Sequence, residues 1–320
     1  MQKKTPTRVG FGKGLANAAE KNDRIIGLGA DITGSVNMNF FAEQFPNRFF
    51  SMGIAEQNIA GVAAGFALEN YIPVMATYGV FSAMRTIDQI RISICYNNLH
   101  VIIGGAHAGI SVGPDGATHQ ALEDIAIMRS LPNMTVLSPC DATQTYKAIN
   151  QAIEELSGPV YIRFGREAVP NFTPKEAPFQ IGKGELLRSG TNLTIVATGH
   201  LVWEALQAAK TLQNEGIDAR VINLHTIKPI DKEILIQAAK ETGAIVTAEE
   251  HQIMGGMGSA VAEVISEASP CPMSYVGIKD TFGESGTPDE LMKKYGLLST
   301  NIIHAAREVL QKKTENERTY

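Results

Sequence analysis

Two histidines and an aspartate lie on one glycine-rich loop in the first half of the sequence. His107 and His119 flank the segment that contains Asp115, and an apolar run at 100–105 just before it predicts a buried strand. In parallel α/β folds, ligands bind at the carboxyl ends of the strands. These polar side chains add little to packing, so we expect them to bind a phosphorylated or polyhydroxylated substrate. A metal site is the rival interpretation, but the spacing is not diagnostic and no second ligand cluster completes it.

Further polar and aromatic residues lie at, or beside, the predicted carboxyl ends of other strands. Arginine suits phosphate in such places, because its planar guanidinium matches the phosphate oxygens. For Arg163 and Arg166 the alternative is ion pairing between domains, with an acidic residue such as Glu167. The set consists of Arg8, Asp31, Ser35, Tyr78, Phe81, Arg163 and Arg166.

Glu56 lies in the first turn of a predicted helix whose surface consists almost entirely of small residues. Ile59, Ala60 and Ala63 share its face, because residues three, four and seven positions apart align on a helix. A carboxylate on an apolar face is costly to ionise, because burial removes the water that stabilises its charge. The alternative is that Glu56 only complements the helix dipole.

Strand and helix signals alternate along the chain, and the strands are continuous apolar runs. This pattern predicts an α/β fold with two domains, each a mostly parallel sheet flanked by helices. Residues 1–165 form the first predicted domain and 185–320 the second. The proline- and glycine-rich segment 166–184 is predicted to be a linker. Within the first domain, a single helix is predicted over 82–96.

Composition excludes several classes of protein. The net charge of the 320 residues is −5 and there is no basic stripe, which argues against nucleic acid as a partner. No apolar run is long enough to cross a membrane. Cys95, Cys140 and Cys271 are scattered, which suits a reducing, cytoplasmic location without a metal site. There is no P-loop, Rossmann fingerprint or nucleophile elbow, and the glycine-rich run 254–259 is interpreted as a tight turn into a helix.

These segments, in this order, resemble the C-terminal half of transketolase along essentially the whole chain. The motifs that carry the resemblance are Gly53-Ile54-Ala55-Glu56-Gln57-Asn58, Asp88-Gln89-Ile90-Arg91, His107-Ala108-Gly109-Ile110-Ser111-Val112-Gly113, Asp115-Gly116-Ala117-Thr118-His119-Gln120 and the later run 221–231. The family's other domain binds the diphosphate of thiamine diphosphate through Mg²⁺, and its Gly-Asp-Gly signature is absent from this sequence. The resemblance therefore implies the C-terminal subunit of a split transketolase, with the pyrimidine-binding and C-terminal domains.

The resemblance also implies a cofactor site shared with a partner chain. Glu56 is expected to hydrogen-bond the pyrimidine of thiamine diphosphate and to promote its imino form, which makes it a catalytic residue. The small-residue face of its helix would then contact the partner subunit. Arg85 replaces a third family aromatic, with an offset of one residue. The expected cofactor-binding residues are Asp31, Ile32, Glu56, Tyr78 and Phe81.

On the substrate side, the resemblance implies reversible transfer of a two-carbon ketol unit between ketose and aldose phosphates, as in pentose phosphate metabolism. His107 is carried over as a catalytic residue, and Asp115 as the residue that reads a hydroxyl of the donor. The expected partner is an N-terminal transketolase subunit, in an α2β2 heterotetramer, which binds most of the Mg²⁺ shell. The expected substrate residues are Arg8, Ser35, His107, Asp115, His119 and Arg166.

Other thiamine enzymes remain alternatives. The β-subunit of a 2-oxoacid dehydrogenase has the same two domains and would use Glu56 in the same way. The run 115–120 and Arg166 favour sugar phosphates. Deoxyxylulose phosphate synthase shares that run but is one long chain. A non-catalytic partner subunit is disfavoured, because Glu56, His107 and Asp115 are present together.

Overall fold

The chain folds into two α/β domains, each with a mostly parallel sheet flanked by helices, which confirms the predicted fold class. This computed structural model describes residues 3–319 and the side chains of residues 3–315. The strands are β1 (Lys4–Pro6), β2 (Ile25–Gly29), β3 (Phe49–Ser51), β4 (Ile72–Tyr78), β5 (Ile102–Ala106), β6 (Thr135–Leu137), β7 (Val160–Arg163), β8 (Ala168–Pro170), β9 (Glu185–Arg188), β10 (Leu193–Ala197), β11 (Ala219–Asn223), β12 (Thr226–Lys228), β13 (Ile245–Gln252) and β14 (Met273–Ile278). The α-helices are α1 (Thr7–Lys21), α2 (Asn39–Gln44), α3 (Glu56–Leu68), α4 (Ile87–Gln89), α5 (Asp124–Ser130), α6 (Ala142–Glu155), α7 (Leu201–Asn214), α8 (Lys232–Thr242), α9 (Met257–Ala268), α10 (Pro288–Lys294) and α11 (Ser299–Thr319).

The sheet of the first domain has the strand order β12-β6-β7-β5-β4-β2-β3. Strands β2 to β7 are parallel, and every residue of β2 and β5 is buried, as expected for strands covered by helices on both faces. Strand β12 comes from the second half of the chain and pairs antiparallel with β6, with Thr226 opposite Leu137. The sequence did not predict β12, because three residues are too few to display a strand pattern.

The second sheet has the strand order β14-β13-β10-β11-β9, and β9 is its antiparallel strand. Strand β13 is buried over all eight residues, although four of them are glutamate, histidine or glutamine. Buried polar side chains need hydrogen-bond partners, so these residues must bond to neighbouring elements. Two of them, Glu249 and Glu250, do so at different places in the fold.

The segment 166–184, predicted as a linker, is more ordered than expected. Strand β8 lies inside it and pairs antiparallel with β1, with Lys4 opposite Pro170. The paired run is three residues long, too short to create a periodic pattern, and so the sequence did not reveal it. The proposed limits of the domains at residues 165 and 185 stay predictions. Strands β8 and β12 both lie after residue 165 but pair with strands of the first domain.

The helix predicted over 82–96 is present in a modified form. A π-helical segment, Phe81–Arg85, precedes α4, and a second π-helical segment, Ile90–Cys95, follows it. π-Helical turns are rare and often occur at functional sites, because the extra residue re-aims the side chains around it. In this protein the first such segment ends at Arg85, whose guanidinium lies over the ring of Phe81, a predicted cofactor-binding residue.

One apolar cluster joins the two domains. Buried residues of the first domain, including Met128 and Val136, belong to the same cluster as Leu224, Leu235 and Val261 of the second. A large apolar interface makes independent motion of the two domains unfavourable. Along the described range 3–319, we find no helix with the length and apolar character needed to cross a membrane.

Candidate active site

Four rings that the sequence singles out lie together beyond the carboxyl ends of two neighbouring strands, β4 and β5. Tyr78 ends β4 and His107 follows β5, and their rings stack with centroids 4.2 Å apart. His119 packs edge-on against Tyr78 at 5.8 Å and against Phe81 at 5.3 Å. The loop between the two histidines therefore folds back over the edge of the sheet.

Hydrogen bonds connect these rings to the start of the chain. The Ser35 hydroxyl lies 3.0 Å from the Tyr78 hydroxyl and 3.3 Å from Nε2 of His107. Nη1 of Arg8 donates to the backbone carbonyl of Ser35 at 2.7 Å, and the buried Nε of Arg8 has no partner among the described residues. An arginine with an unused buried donor can bind an anion without losing an existing contact.

Arg166 and Asp115 form the other polar edge of the cluster. Nη1 of Arg166 donates to both carboxylate oxygens of Asp115, at 3.2 and 3.3 Å, and both side chains are partly exposed. Burial, followed by the positive charge of Arg166, lowers the pKa of Arg8. Two guanidinium groups close enough to repel each other are suited to sharing a phosphate.

The backbone of His107 is strained. Its φ is 51°, and the other non-glycine residues with positive φ in the described chain are all asparagine or aspartate, which tolerate this region better. Burial, followed by the charges of Arg8, Arg166 and His119, lowers the pKa of His107 to about 3. His107 is therefore neutral near pH 7, and its buried Nδ1 has no partner among the described residues. Strain kept at such a place is typical of functional sites.

Glu56 begins α3 and its side chain is only 3% exposed. Its Oε1 accepts a hydrogen bond from Nη1 of Arg85 at 3.0 Å, and the Arg85 guanidinium lies over the ring of Phe81, 4.1 Å from its centroid. The sequence identified Glu56 and Phe81 but gave Arg85 no role beyond replacing an aromatic. Its position at the end of a π-helical segment explains the omission, since an α-helical pattern does not predict where its side chain points.

The two faces of α3 differ. Ile59, Ala60 and Ala63 are buried with Glu56, as the helical spacing predicts. Gly61 and Gly65 face outward, and a methyl group placed on either would meet no atom within 4 Å. We call the outward surface formed by Gln57, Gly61, Gly65 and Leu68 the open face of α3.

Two predicted cofactor residues lie apart from these contacts. Asp31 follows β2, is exposed, and has a φ of 62°, in the left-handed region. Ile32 is half-buried and packs against the same apolar cluster as Tyr78. Their placement at the carboxyl end of β2, next to β4, matches the prediction, but in the described part of the chain no hydrogen bond or ring contact connects them to Glu56.

Arg163, considered with Arg166 as a phosphate ligand or as an ion-pairing residue between domains, forms an ion pair, but with an acidic residue of its own domain. Its Nε donates to Oδ2 of Asp124 at 2.9 Å, and Nη2 donates to the backbone carbonyls of Ala121 and Glu250. The acidic partner is therefore Asp124 and not Glu167. Arg163 is only 6% exposed and Asp124 is fully buried, so this pair belongs to the scaffold beneath the site.

The glycine-rich run 254–259 is a turn into α9, as interpreted. The backbone amides of Met257 and Gly258 donate to the carboxylate of Glu249, at 2.7 and 2.8 Å. The helix N-terminus thus already has a carboxyl partner from its own chain. Among the described residues we also find no group of three or more histidine, cysteine, aspartate or glutamate side chains that could hold a metal ion.

Comparison with known proteins agrees with this architecture. The family model described as "Transketolase, pyrimidine binding domain" matches residues 3–171, and that described as "Transketolase, C-terminal domain" matches residues 182–302. The 6-deoxy-6-sulfo-D-fructose transketolase subunit SqwH of Clostridium sp. (strain MSTE9) is 42% identical over 299 residues, which cover 93% of this chain and 92% of that subunit. The 1-deoxy-D-xylulose-5-phosphate synthase of Heliobacterium modesticaldum (strain ATCC 51547 / Ice1) is 39% identical over 308 residues, which cover 95% of this chain and 47% of the synthase.

A solved structure extends the likeness to three dimensions. The protein described as "Split gene transketolase, inactive beta4 tetramer" superposes with a TM-score of 0.90 at 48% identity, covering 96% of this chain and 99% of that one. Sequence, domain order and fold agree along nearly the whole length of the chain. The chain therefore belongs to the transketolase family, with its pyrimidine-binding and C-terminal domains, and is similar to the β-subunits of split transketolases.

Proposed function

We propose that this chain is the C-terminal subunit of a split, thiamine-diphosphate-dependent transketolase. It transfers a two-carbon ketol unit between ketose and aldose phosphates, together with a separate N-terminal subunit. One observation carries the proposal: an unbroken series of contacts joins the buried carboxylate of Glu56 to the arginines of the substrate side. The series runs through Arg85, Phe81, His119, Tyr78, His107, Ser35 and Arg8.

The residues around Glu56 fit the aminopyrimidine of thiamine diphosphate. A flat, nitrogen-bearing group, the Arg85 guanidinium, already lies over Phe81 and donates to Glu56, which is the pair of contacts that an aminopyrimidine would make here. Glu56 would bind a ring nitrogen, Phe81 and Tyr78 would line the ring, and Asp31 and Ile32 would contact the cofactor. When bound, the cofactor supplies a carbanion next to a thiazolium. Mg²⁺ and the diphosphate would be held mainly by the partner subunit.

The residues on the other side of the series fit a sugar phosphate. Arg8 and Arg166 would bind its phosphate, while Asp115 and His119 would bind its hydroxyl groups. His107 is neutral, so its free Nδ1 and its Nε2, next to Ser35, can accept or donate a hydrogen bond without a charge of their own.

The open face of α3 fits a partner subunit. Ile54, just before α3, is 74% exposed, and Leu68, at its end, is 65% exposed. Exposed apolar side chains around glycines that lack contacts are typical of a surface that packs against another protein. We propose that the N-terminal subunit covers this face in an α2β2 assembly and completes the site next to Glu56.

A second candidate activity is that of a deoxyxylulose phosphate synthase, favoured by the 39% identity to such a synthase. Both activities would use Glu56 and the arginines. They differ in the donor, which is a ketose phosphate for transketolase and a 2-oxo acid for the synthase. Use of a 2-oxo acid would also fit the β-subunit of a 2-oxoacid dehydrogenase.

Reconstitution tests the proposal. The chain is co-purified with an N-terminal transketolase subunit and assayed with Mg²⁺, thiamine diphosphate and a panel of ketose phosphates, with pyruvate as the competing donor. We expect ketol transfer by the pair and none by this chain alone, because the partner subunit would hold the diphosphate. Turnover of pyruvate without ketol transfer would favour the second candidate. Full ketol transfer by this chain alone would refute the split-enzyme proposal.

A further inference from the structure

Glu250 connects the C-terminal domain to the substrate loop of the first domain. It follows Glu249 on β13, and both carboxylates are almost completely buried. Successive side chains of a strand point to opposite faces. Glu249 accordingly bonds to the start of α9, whereas Glu250 points toward residues 107–119 of the first domain.

The Glu250 carboxylate lies directly under the loop. Its Oε1 accepts a hydrogen bond from the backbone N–H of Ser111 at 2.7 Å. Gly109 packs on the same carboxylate so closely that a Cβ there would lie 2.3 Å from it. Gly109 also has a φ of 89°, which favours glycine. The loop therefore takes a path that only glycine permits, and the carboxylate fits against it.

Glu250 is anionic in this position. Burial acts to raise its pKa, but the hydrogen bond and charge of His200, the guanidinium of Arg163 and the Ser111 amide outweigh burial, so its pKa is lowered overall. A hydrogen bond from an amide to a carboxylate is about twice as strong as one between neutral groups. The contact with Ser111 is thus a strong tie to the loop.

A second part of the C-terminal domain holds the other end of the loop. The Gln120 side-chain amide donates to the backbone carbonyls of Ile110 and Glu284. The Ser285 hydroxyl lies against Gly116, where a Cβ would come within 2.6 Å of it. Between these two anchors lies Asp115, whose carboxylate meets Arg166.

We propose that Glu250 is a positioning residue for substrate binding: through Ser111 and Gly109 it holds the loop that carries His107 and Asp115 against Arg8 and Arg166. This gives the C-terminal domain a role, that of bracing a loop of the neighbouring domain. The proposal rests on the proposed function, since it assumes that the loop binds the donor sugar phosphate.

The experiment compares Glu250→Ala and Glu250→Gln with Glu249→Ala and Glu249→Gln. The Glu249 variants are matched controls, because Glu249 is adjacent, equally buried and bonded to α9 instead of to the loop. Amide hydrogen exchange of peptides covering 107–119 is measured by mass spectrometry on the full chain. The kcat and KM for D-xylulose 5-phosphate are measured on the complex reconstituted with the N-terminal subunit.

We expect Glu250→Ala to accelerate exchange at Ser111 by about 10- to 100-fold, the range for loss of a hydrogen bond to a charged group. We expect it to raise KM about tenfold while kcat falls by less than about threefold, since a displaced loop weakens binding more than chemistry. Glu250→Gln keeps an acceptor oxygen and should restore exchange and KM to within about threefold of wild type. The Glu249 variants should change neither quantity.

Two results would overturn the proposal. One is a Glu250→Ala complex whose KM and loop exchange equal those of wild type. The other is a Glu249→Ala variant that changes both by the same factor, since the effect would then be general destabilisation. A wild-type complex without ketol transfer would instead refute the proposed function. That outcome is distinct, because it is read on the unmodified complex.

Discussion

Two arginine–carboxylate pairs in the first domain have nearly the same geometry and opposite surroundings. Nε of Arg163 lies 2.9 Å from Asp124, and Nη1 of Arg85 lies 3.0 Å from Glu56. In the Arg163 pair the two side chains are 6% and 0% exposed. In the Arg85 pair the arginine is 47% exposed, although the carboxylate is 3% exposed.

The difference separates a fixed part of the molecule from an exchangeable one. Asp124 also accepts a hydrogen bond from Tyr161, and Arg163 donates to two backbone carbonyls. Breaking that pair therefore leaves several buried polar groups without a partner. Arg85 can rotate into water and recover its solvation. Glu56 is therefore free to exchange Arg85 for a ligand, whereas Asp124 is committed to holding β7 and α5 together.

The largest effect is expected for Glu56→Gln in the reconstituted complex. If Glu56 exchanges a proton with the cofactor, the amide should lower kcat by about 10²- to 10⁴-fold, the range for loss of an acid–base group. Assembly with the partner should remain intact, because glutamine has nearly the same size. Steady-state kinetics and analytical ultracentrifugation measure the two quantities. Near-normal turnover would mean that Glu56, like Asp124, is only structural.

Arg163→Met tests the buried pair of Arg163 and Asp124. Removing the guanidinium leaves Asp124 buried and unpaired, which should lower the free energy of unfolding by about 3–5 kcal/mol. Urea denaturation followed by circular dichroism measures the loss. The double variant Arg163→Met/Asp124→Asn should recover part of it, since the stranded charge is removed. Equal stability of the two variants would argue against the stranded charge as the cause.

Much of this arrangement follows from the sequence, and the reason lies in strand ends. The sequence predicts that Tyr78, His107 and Ser35 lie at the same edge of the sheet, because each follows an apolar run and parallel strands end at one edge. The sequence does not predict the position of Glu250, since 139 residues separate it from Ser111 and their contact depends on how the domains pack. Nor does it predict the direction of Arg85, because that direction is set by a π-helical turn. Local patterns thus predict the edge of a sheet but not the contacts made across domains.

The open face of α3 lies next to the Arg85–Glu56 pair and is the proposed contact with the partner subunit. Gly61→Leu should block that contact. In the proposed complex the added side chain would prevent close approach and weaken association with the N-terminal subunit by about 100-fold, or roughly 2.7 kcal/mol. The chain itself should become slightly more stable, because leucine favours helix over glycine by about 0.5–1 kcal/mol and a Cβ at this position meets no atom within 4 Å. Titration calorimetry and thermal unfolding measure these opposite changes. Thr211→Leu, at an exposed position of α7, is the control.

A third buried carboxylate extends the comparison to pH. Burial raises the pKa of Glu249 to about 7, even though the Gly258 and Met257 amides favour its charged form. A group whose pKa is higher in the folded state stabilises the fold in acid, and that stability is lost as pH rises through the folded pKa. Between pH 5 and 8, Glu249 should therefore lower the free energy of unfolding by roughly 2 kcal/mol. Urea denaturation of wild type and Glu249→Gln at both pH values tests this, since the variant should lack that decline.

The smallest effect is expected for Arg85→Met. Because Arg85 is half-exposed, solvent screens its pair with Glu56, and the loss of stability should not exceed about 1 kcal/mol by urea denaturation. A much smaller loss of unfolding free energy for Arg85→Met than for Arg163→Met would show that Glu56 can exchange Arg85 for a ligand at little cost. A loss of 3 kcal/mol or more would place Arg85 with the scaffold, and Glu56 could then exchange Arg85 for a ligand only with a rearrangement of the domain.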